Sequence, residues 1–82
     1  MHVTVKLFAS YRELAGASET TLDLPDGSTV GAALDALSRR YPEVAATLKA
    51  APLAACNLRH VPPDHVLSNG DELAVFPPVS GG

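Results

Sequence analysis

Few side chains in this sequence could do chemistry, and none has the neighbours that chemistry needs. Cys56 is the single cysteine among 82 residues. Ala54, Ala55 and Leu58 around it are apolar, and no basic residue adjoins it to favour the thiolate. It reads as a buried free thiol packing as a small hydrophobe. His2, His60 and His65 show neither H-x-x-x-H nor H-E-x-x-H spacing, and the His60/His65 pair falls five apart on an irregular stretch, so no metal site is expected. Ser10 and Ser80 lack a G-x-S-x-G context, and Asp71-Glu72 follows a turn, where solvated charge is ordinary. Gly27, Gly31 and Gly70 are isolated, without a phosphate-cradling loop. The side chains offer no enzyme.

The C-terminus is different. From Leu73 to Gly82 no side chain is charged, so the terminal carboxylate is the only charge in that stretch. Pro77 and Pro78 fix φ and cannot donate to a ladder, which should stop the preceding strand at Phe76. The six residues beyond Phe76 can extend roughly 20 Å. Val79 offers an apolar contact, Ser80 follows, and Gly81-Gly82 can enter a channel too narrow for a Cβ. A frayed end is the bland alternative, but frayed ends are usually polar or charged. Two stiffening prolines and a valine before Gly-Gly favour a functional tail.

The elements that carry this tail follow from periodicity. Residues 2–8 alternate with period two, placing Val3, Val5 and Leu7 on one face and Thr4, Lys6 and Phe8 on the other. Residues 9–16 form a short helical turn, with Ser10 as its cap and Gly16 as its stop. Residues 19–24 alternate again, and Pro25-Asp26-Gly27 is a turn. A helix capped by Ser28 or Thr29 carries Val30, Ala33, Leu34, Leu37 and Tyr41 on one face, with Arg39 and Arg40 near its end and Pro42 closing it. Glu43–Lys49 is a second short helix, 53–57 a strand, 58–67 irregular, Ser68-Asn69-Gly70-Asp71 a turn, and 72–76 the last strand. Strand, strand, helix, strand, strand is the order of an α+β, β-grasp (ubiquitin-like) fold, a mixed sheet with one main helix packed on one face. The expected division is a domain over 1–76 and an extended tail over 77–82. Ala74 and Phe76, and Phe8 by the same alternation, fall on the sheet face away from the helix. Two aromatics there mark either a partner surface or a patch covered by a loop.

Composition bounds the rest. With 6 Lys+Arg against 9 Asp+Glu, the formal charge of −3 excludes the basic stripe of a nucleic-acid binder and the polybasic patch of a membrane module. At 46% hydrophobic residues the chain is too apolar for a disordered segment, yet no run approaches the roughly 18 residues that cross a bilayer. The N-terminus alternates instead of opening an apolar signal-peptide core, so a cytoplasmic location is expected. A chain this short buries only about 60–65% of its unfolded surface, leaving little room to enclose an active site.

Phe8-Ala9-Ser10-Tyr11-Arg12-Glu13-Leu14-Ala15-Gly16 resembles the F-A-x-x-R-E-x-x-G segment of the small subunits of molybdopterin synthase, the MoaD-type ubiquitin-like sulfur carriers of the MoaD/ThiS family. Ser28-Thr29-Val30, Arg40-Tyr41-Pro42, Asn57, Asn69-Gly70-Asp71-Glu72 and the closing Pro77-Pro78-Val79-Ser80-Gly81-Gly82 extend the resemblance over the whole chain. Cys56, where the family usually carries an aliphatic residue, and Leu58–Pro63 depart from it. The resemblance implies that an E1-like adenylating enzyme activates Gly82 with ATP. Sulfur from a desulfurase or rhodanese-type donor then gives a C-terminal thiocarboxylate, with no cofactor held stably. It further implies that the tail inserts into the large catalytic subunit, Gly82 carrying the reactive group and Gly81 threading the channel. There the sulfur attacks cyclic pyranopterin monophosphate, and two rounds build the molybdopterin dithiolene. Phe76, Phe8, Arg12, Pro77 and Pro78 fall at the implied partner interface. Alternatives within the fold are a sulfur carrier for thiamine biosynthesis or tRNA thiolation, or a ubiquitin-like modifier. A non-catalytic β-grasp interaction domain is the alternative from another class.

Overall fold

The alternating segments form the strands expected of them. In the computed structural model, which describes residues 1–48 and 52–77, the strands are β1 (His2–Leu7), β2 (Glu19–Asp23), β3 (Leu53–Cys56), β4 (Arg59–His60), which was not expected, and β5 (Glu72–Phe76). The helices are α1 (Ser10–Ala15), α2 (Val30–Arg40) and α3 (Pro42–Leu48). The sheet order is β2-β1-β5-β3-β4. β1 runs antiparallel to β2 and parallel to β5, so the mixed β-grasp sheet has the two ends of the described chain side by side at its centre. Val3, Val5, Leu7, Leu73 and Val75 of these strands are buried against α2, whose Val30, Ala33 and Leu37 form the facing stripe. Leu34 and Tyr41 pack at its margin.

The start of α2 is held by two devices, only one of them local. Thr29 caps the helix as expected, its Oγ1 accepting from the Ala32 N–H at 3.2 Å. The Val30 and Gly31 N–H groups, which have no partner within the helix, donate instead to the carbonyls of His65 (2.9 Å) and Pro63 (2.8 Å). The segment expected to be irregular is therefore a strap that satisfies the helix terminus. It also contributes β4, a strand that sequence periodicity missed because two residues show no period.

Two boundary expectations are corrected. Pro42 does not simply close α2: Tyr41 is the C-cap and Pro42 opens α3 as its first residue, where its fixed φ suits a helix and no N–H is required. Lys49, the expected end of that helix, lies outside the described residues. Ser10 does not cap α1 either. The cap position is Ala9, with φ 52° and ψ −128° and no side-chain hydrogen bond. Phe8–Tyr11 closes there as a tight turn, the Tyr11 N–H donating to the Phe8 carbonyl at 3.2 Å. Tyr11 is thereby turned into the core and fully buried, its pKa raised by that burial. Gly16 ends α1 as expected, at φ 72°.

Cys56 is buried as expected, 6% exposed, but one neighbour is not apolar. Burial, then a hydrogen bond and charge repulsion from Asp71, push its thiol up to about 11. Asp71 in turn accepts from the Ser68 N–H at 2.7 Å and from Asn57 Nδ2 at 3.0 Å, which hold its carboxyl below the usual range. At neutral pH Cys56 is therefore held as the thiol.

Two outcomes follow. Ala9→Gly relieves a conformation that favours glycine and should stabilise the fold by about 1 kcal/mol in denaturant titration. For Cys56 the folded pKa lies above the unfolded value, so its contribution is complete below about pH 9 and lost as pH rises toward 11. Stability measured across that window should fall less steeply in Cys56→Ala than in the unmodified chain. Aromatic disulfide reagents should label Cys56 slowly at pH 7 and rapidly in guanidinium.

Candidate functional site: the open sheet face and the tail exit

The face of the sheet opposite the helices is built from the alternate residues of the same strands. Register places Lys6, Ala74, Ala55 and His60 in one row across β1, β5, β3 and β4. The two alanines leave this row low at its centre. Phe8 and Phe76 rise on one side, and Leu58 and His60 on the other. Together they bound an apolar groove of about 430 Å³, with Lys6 and Glu72 at its polar end. Lys6 Nζ lies 3.8 Å from Glu72 Oε1, a half-exposed pair that leaves the groove locally neutral.

Phe8 and Phe76 are brought together by the parallel pairing of β1 and β5. Leu7 lies opposite Val75, so the next residue of each strand reaches the same edge of the groove. Their rings stack with centroids 4.7 Å apart and planes 10° from parallel. Phe8 remains 37% exposed and Phe76 is half-buried. The stack borders the open groove, so of the two sequence readings the covering loop is not what the described residues show.

Pro77 leaves the sheet immediately after Phe76 and is half-buried. The described residues therefore end beside the aromatic stack. Pro78, Val79, Ser80, Gly81 and Gly82 lie outside the described residues. Arg12 is exposed on α1, and its carbonyl accepts from the Gly16 N–H at 3.0 Å. Among the described residues no group of three His, Cys, Asp or Glu is placed to hold a metal ion. Cys56 is buried on the core side of β3 while Ala55 lines the groove, and burial and Asp71 favour its protonated thiol.

The residue that sequence reasoning left aside is Leu58. Asn57 (φ 49°) and Leu58 (φ 72°) are the two loop residues between β3 and β4, a hairpin turn with both residues in the left-handed region. The sequence signal for such a turn is Asn-Gly, and leucine in the second place hides it. No helix among the described residues is long and apolar enough to cross a membrane.

Comparison with known proteins agrees with this architecture. A Haloferax volcanii structure, the small archaeal modifier protein 1, superposes with a TM-score of 0.86 at 33% identity, covering 100% of both chains. A Pyrococcus furiosus structure described as a putative molybdopterin converting factor, subunit 1, does so with a TM-score of 0.86 at 34% identity over 96% of this chain and 99% of its own. Among curated proteins, the molybdopterin synthase sulfur carrier subunit of Escherichia coli is 40% identical, covering 98% of this chain and 99% of that protein. The Arabidopsis thaliana protein of the same name is 35% identical over 100% of this chain and 84% of its own. The family described as ThiS matches residues 5–82. On that match and those relatives, this chain belongs to the ThiS family of β-grasp proteins.

Proposed function

We propose that this chain is the sulfur carrier subunit of molybdopterin synthase. The observation that carries this reading is the near-complete length over which it matches curated proteins of that name in plants and bacteria, at 35–40% identity. The absence of a built nucleophile among the described side chains fits it: the reactive group of a carrier is its own terminus. A carboxylate is a poor acyl donor because its oxygen leaves badly. An E1-like enzyme joins the Gly82 carboxylate to AMP from ATP, releasing pyrophosphate. The outer sulfur of a persulfide on a desulfurase- or rhodanese-type donor then displaces AMP to give an acyl disulfide. A second thiol attacks the donor's sulfur, forming a disulfide with it and releasing the thiocarboxylate, with no cofactor held by this chain. The thiocarboxylate sulfur is a soft nucleophile at neutral pH and needs no side-chain base. Within the large catalytic subunit it attacks cyclic pyranopterin monophosphate, and that subunit supplies positioning and acid–base groups.

The tail over 77–82 does the delivery in this scheme. Gly81 and Gly82 pass a channel closed to a Cβ, and Ser80 and Val79 follow. Pro77 and Pro78 limit the backbone entropy lost on insertion. The Phe8–Phe76 stack and Arg12 lie at the docking surface. A second reading, a protein modifier joined through the same terminus, has support in a relative named small archaeal modifier protein 1, 35% identical over 94% of this chain.

Intact mass spectrometry of the protein from its host should find a fraction with one oxygen replaced by sulfur, absent when Gly82 is deleted. Deleting Gly82 should abolish molybdopterin formation in a reconstituted synthase without changing the melting temperature. Full activity of the truncated chain would overturn the carrier reading. Recovery of the chain joined to lysines of other proteins, with no thiocarboxylate, would favour the modifier.

A further inference from the structure

The hairpin between β3 and β4 is strained at its most exposed apolar residue. Leu58 is 94% exposed at φ 72°, a backbone region that a bulky side chain rarely adopts. Glycine would relieve both the strain and the exposed apolar surface. The conformation is imposed by its neighbour. Asn57 Oδ1 accepts from the Glu72 N–H at 3.0 Å, and its Nδ2 donates to Asp71 at 3.0 Å. The Asn57 N–H donates to the Glu72 carbonyl at 2.9 Å. Asp71 is itself fixed by the Ser68 N–H. Three hydrogen bonds thus clamp the turn onto the start of β5, and strain of this kind persists only where the surroundings over-determine it.

The clamped leucine stands on the rim of the groove, across the alanine floor from the Phe8–Phe76 stack. Phe76 is also where the chain leaves for its tail. In the proposed scheme the tail begins at Pro77, directly after Phe76 of the stack, so the subunit that receives it sits against this face. The groove is apolar and locally neutral, which suits a long-lived complex better than a brief charged encounter.

Building on the sulfur-carrier reading, we infer that Leu58 is a preorganised knob that inserts into an apolar pocket of the large catalytic subunit, beside the slot that accepts the tail, and that its strain is retained for that contact. The turn holds the side chain proud before binding, so little rotamer and backbone freedom is lost on docking.

The test uses the full chain with Leu58→Gly and Leu58→Met, and the purified large subunit of molybdopterin synthase from the same organism. Leu58→Gly should raise the melting temperature by roughly 4–8 °C while weakening binding to the large subunit about tenfold. Leu58→Met should bind as the unmodified chain does. Adenylation of Gly82 by the activating enzyme should be unchanged in both. A lower melting temperature in Leu58→Gly would overturn the strain, and unchanged affinity would overturn the knob. An equal loss toward the activating enzyme would overturn the assignment to the large subunit. If the unmodified chain does not bind the large subunit, the carrier reading fails, and this inference with it.

Discussion

The parallel pairing of β1 with β5 is the constraint on which the rest of the molecule hangs. It closes the longest loop in the described chain and places Val3, Val5, Leu7, Leu73 and Val75 in one buried layer. Its register also sets the open face, because matching Leu7 to Val75 carries Phe8 and Phe76 to the same edge. A slip of one residue would send the buried set to solvent and the aromatics into the helices. Core and candidate interface are thus two sides of one hydrogen-bonded ladder. Pro77, the last described residue, therefore follows directly on a strand anchored in the core by Leu73 and Val75.

Periodicity was enough to read the strands and α2, because their buried residues recur at the spacing of the element that buries them. It also separated the two sheet faces, and so identified Phe76 as outward-facing. What the sequence hid depends on contacts distant along the chain. Tyr11 is buried because Ala9 adopts a turn conformation for which alanine gives no cue. The strap over 61–67 looks structureless until α2 presents N–H groups for its carbonyls. The β3–β4 hairpin lacks its usual glycine, so neither the turn nor β4 could be recognised locally. At the site, composition alone set the C-terminal stretch apart, since glycines, prolines and missing charge need no partner to be noticed. The groove was not, because its floor and walls come from four strands and a turn.

A carrier of this kind separates tasks that most enzymes combine. In the proposed scheme the folded part supplies recognition and the terminus supplies reactivity, so the buried residues can be chosen for packing alone. Cys56 illustrates the consequence. The one side chain that could compete for sulfur chemistry is sealed in the core, with Asp71 opposing its ionisation.

Arg40 carries a consequence of a different kind. Its guanidinium donates at 3.1 Å to the carbonyl of Thr21 on β2, which is the outer strand at one side of the sheet, and the other side ends in a strand of two residues. One carbonyl of the five-residue edge strand is thus already engaged, and the opposite edge is only two residues long. A strand added at either edge would meet an engaged carbonyl on β2 or only two residues to pair with on β4.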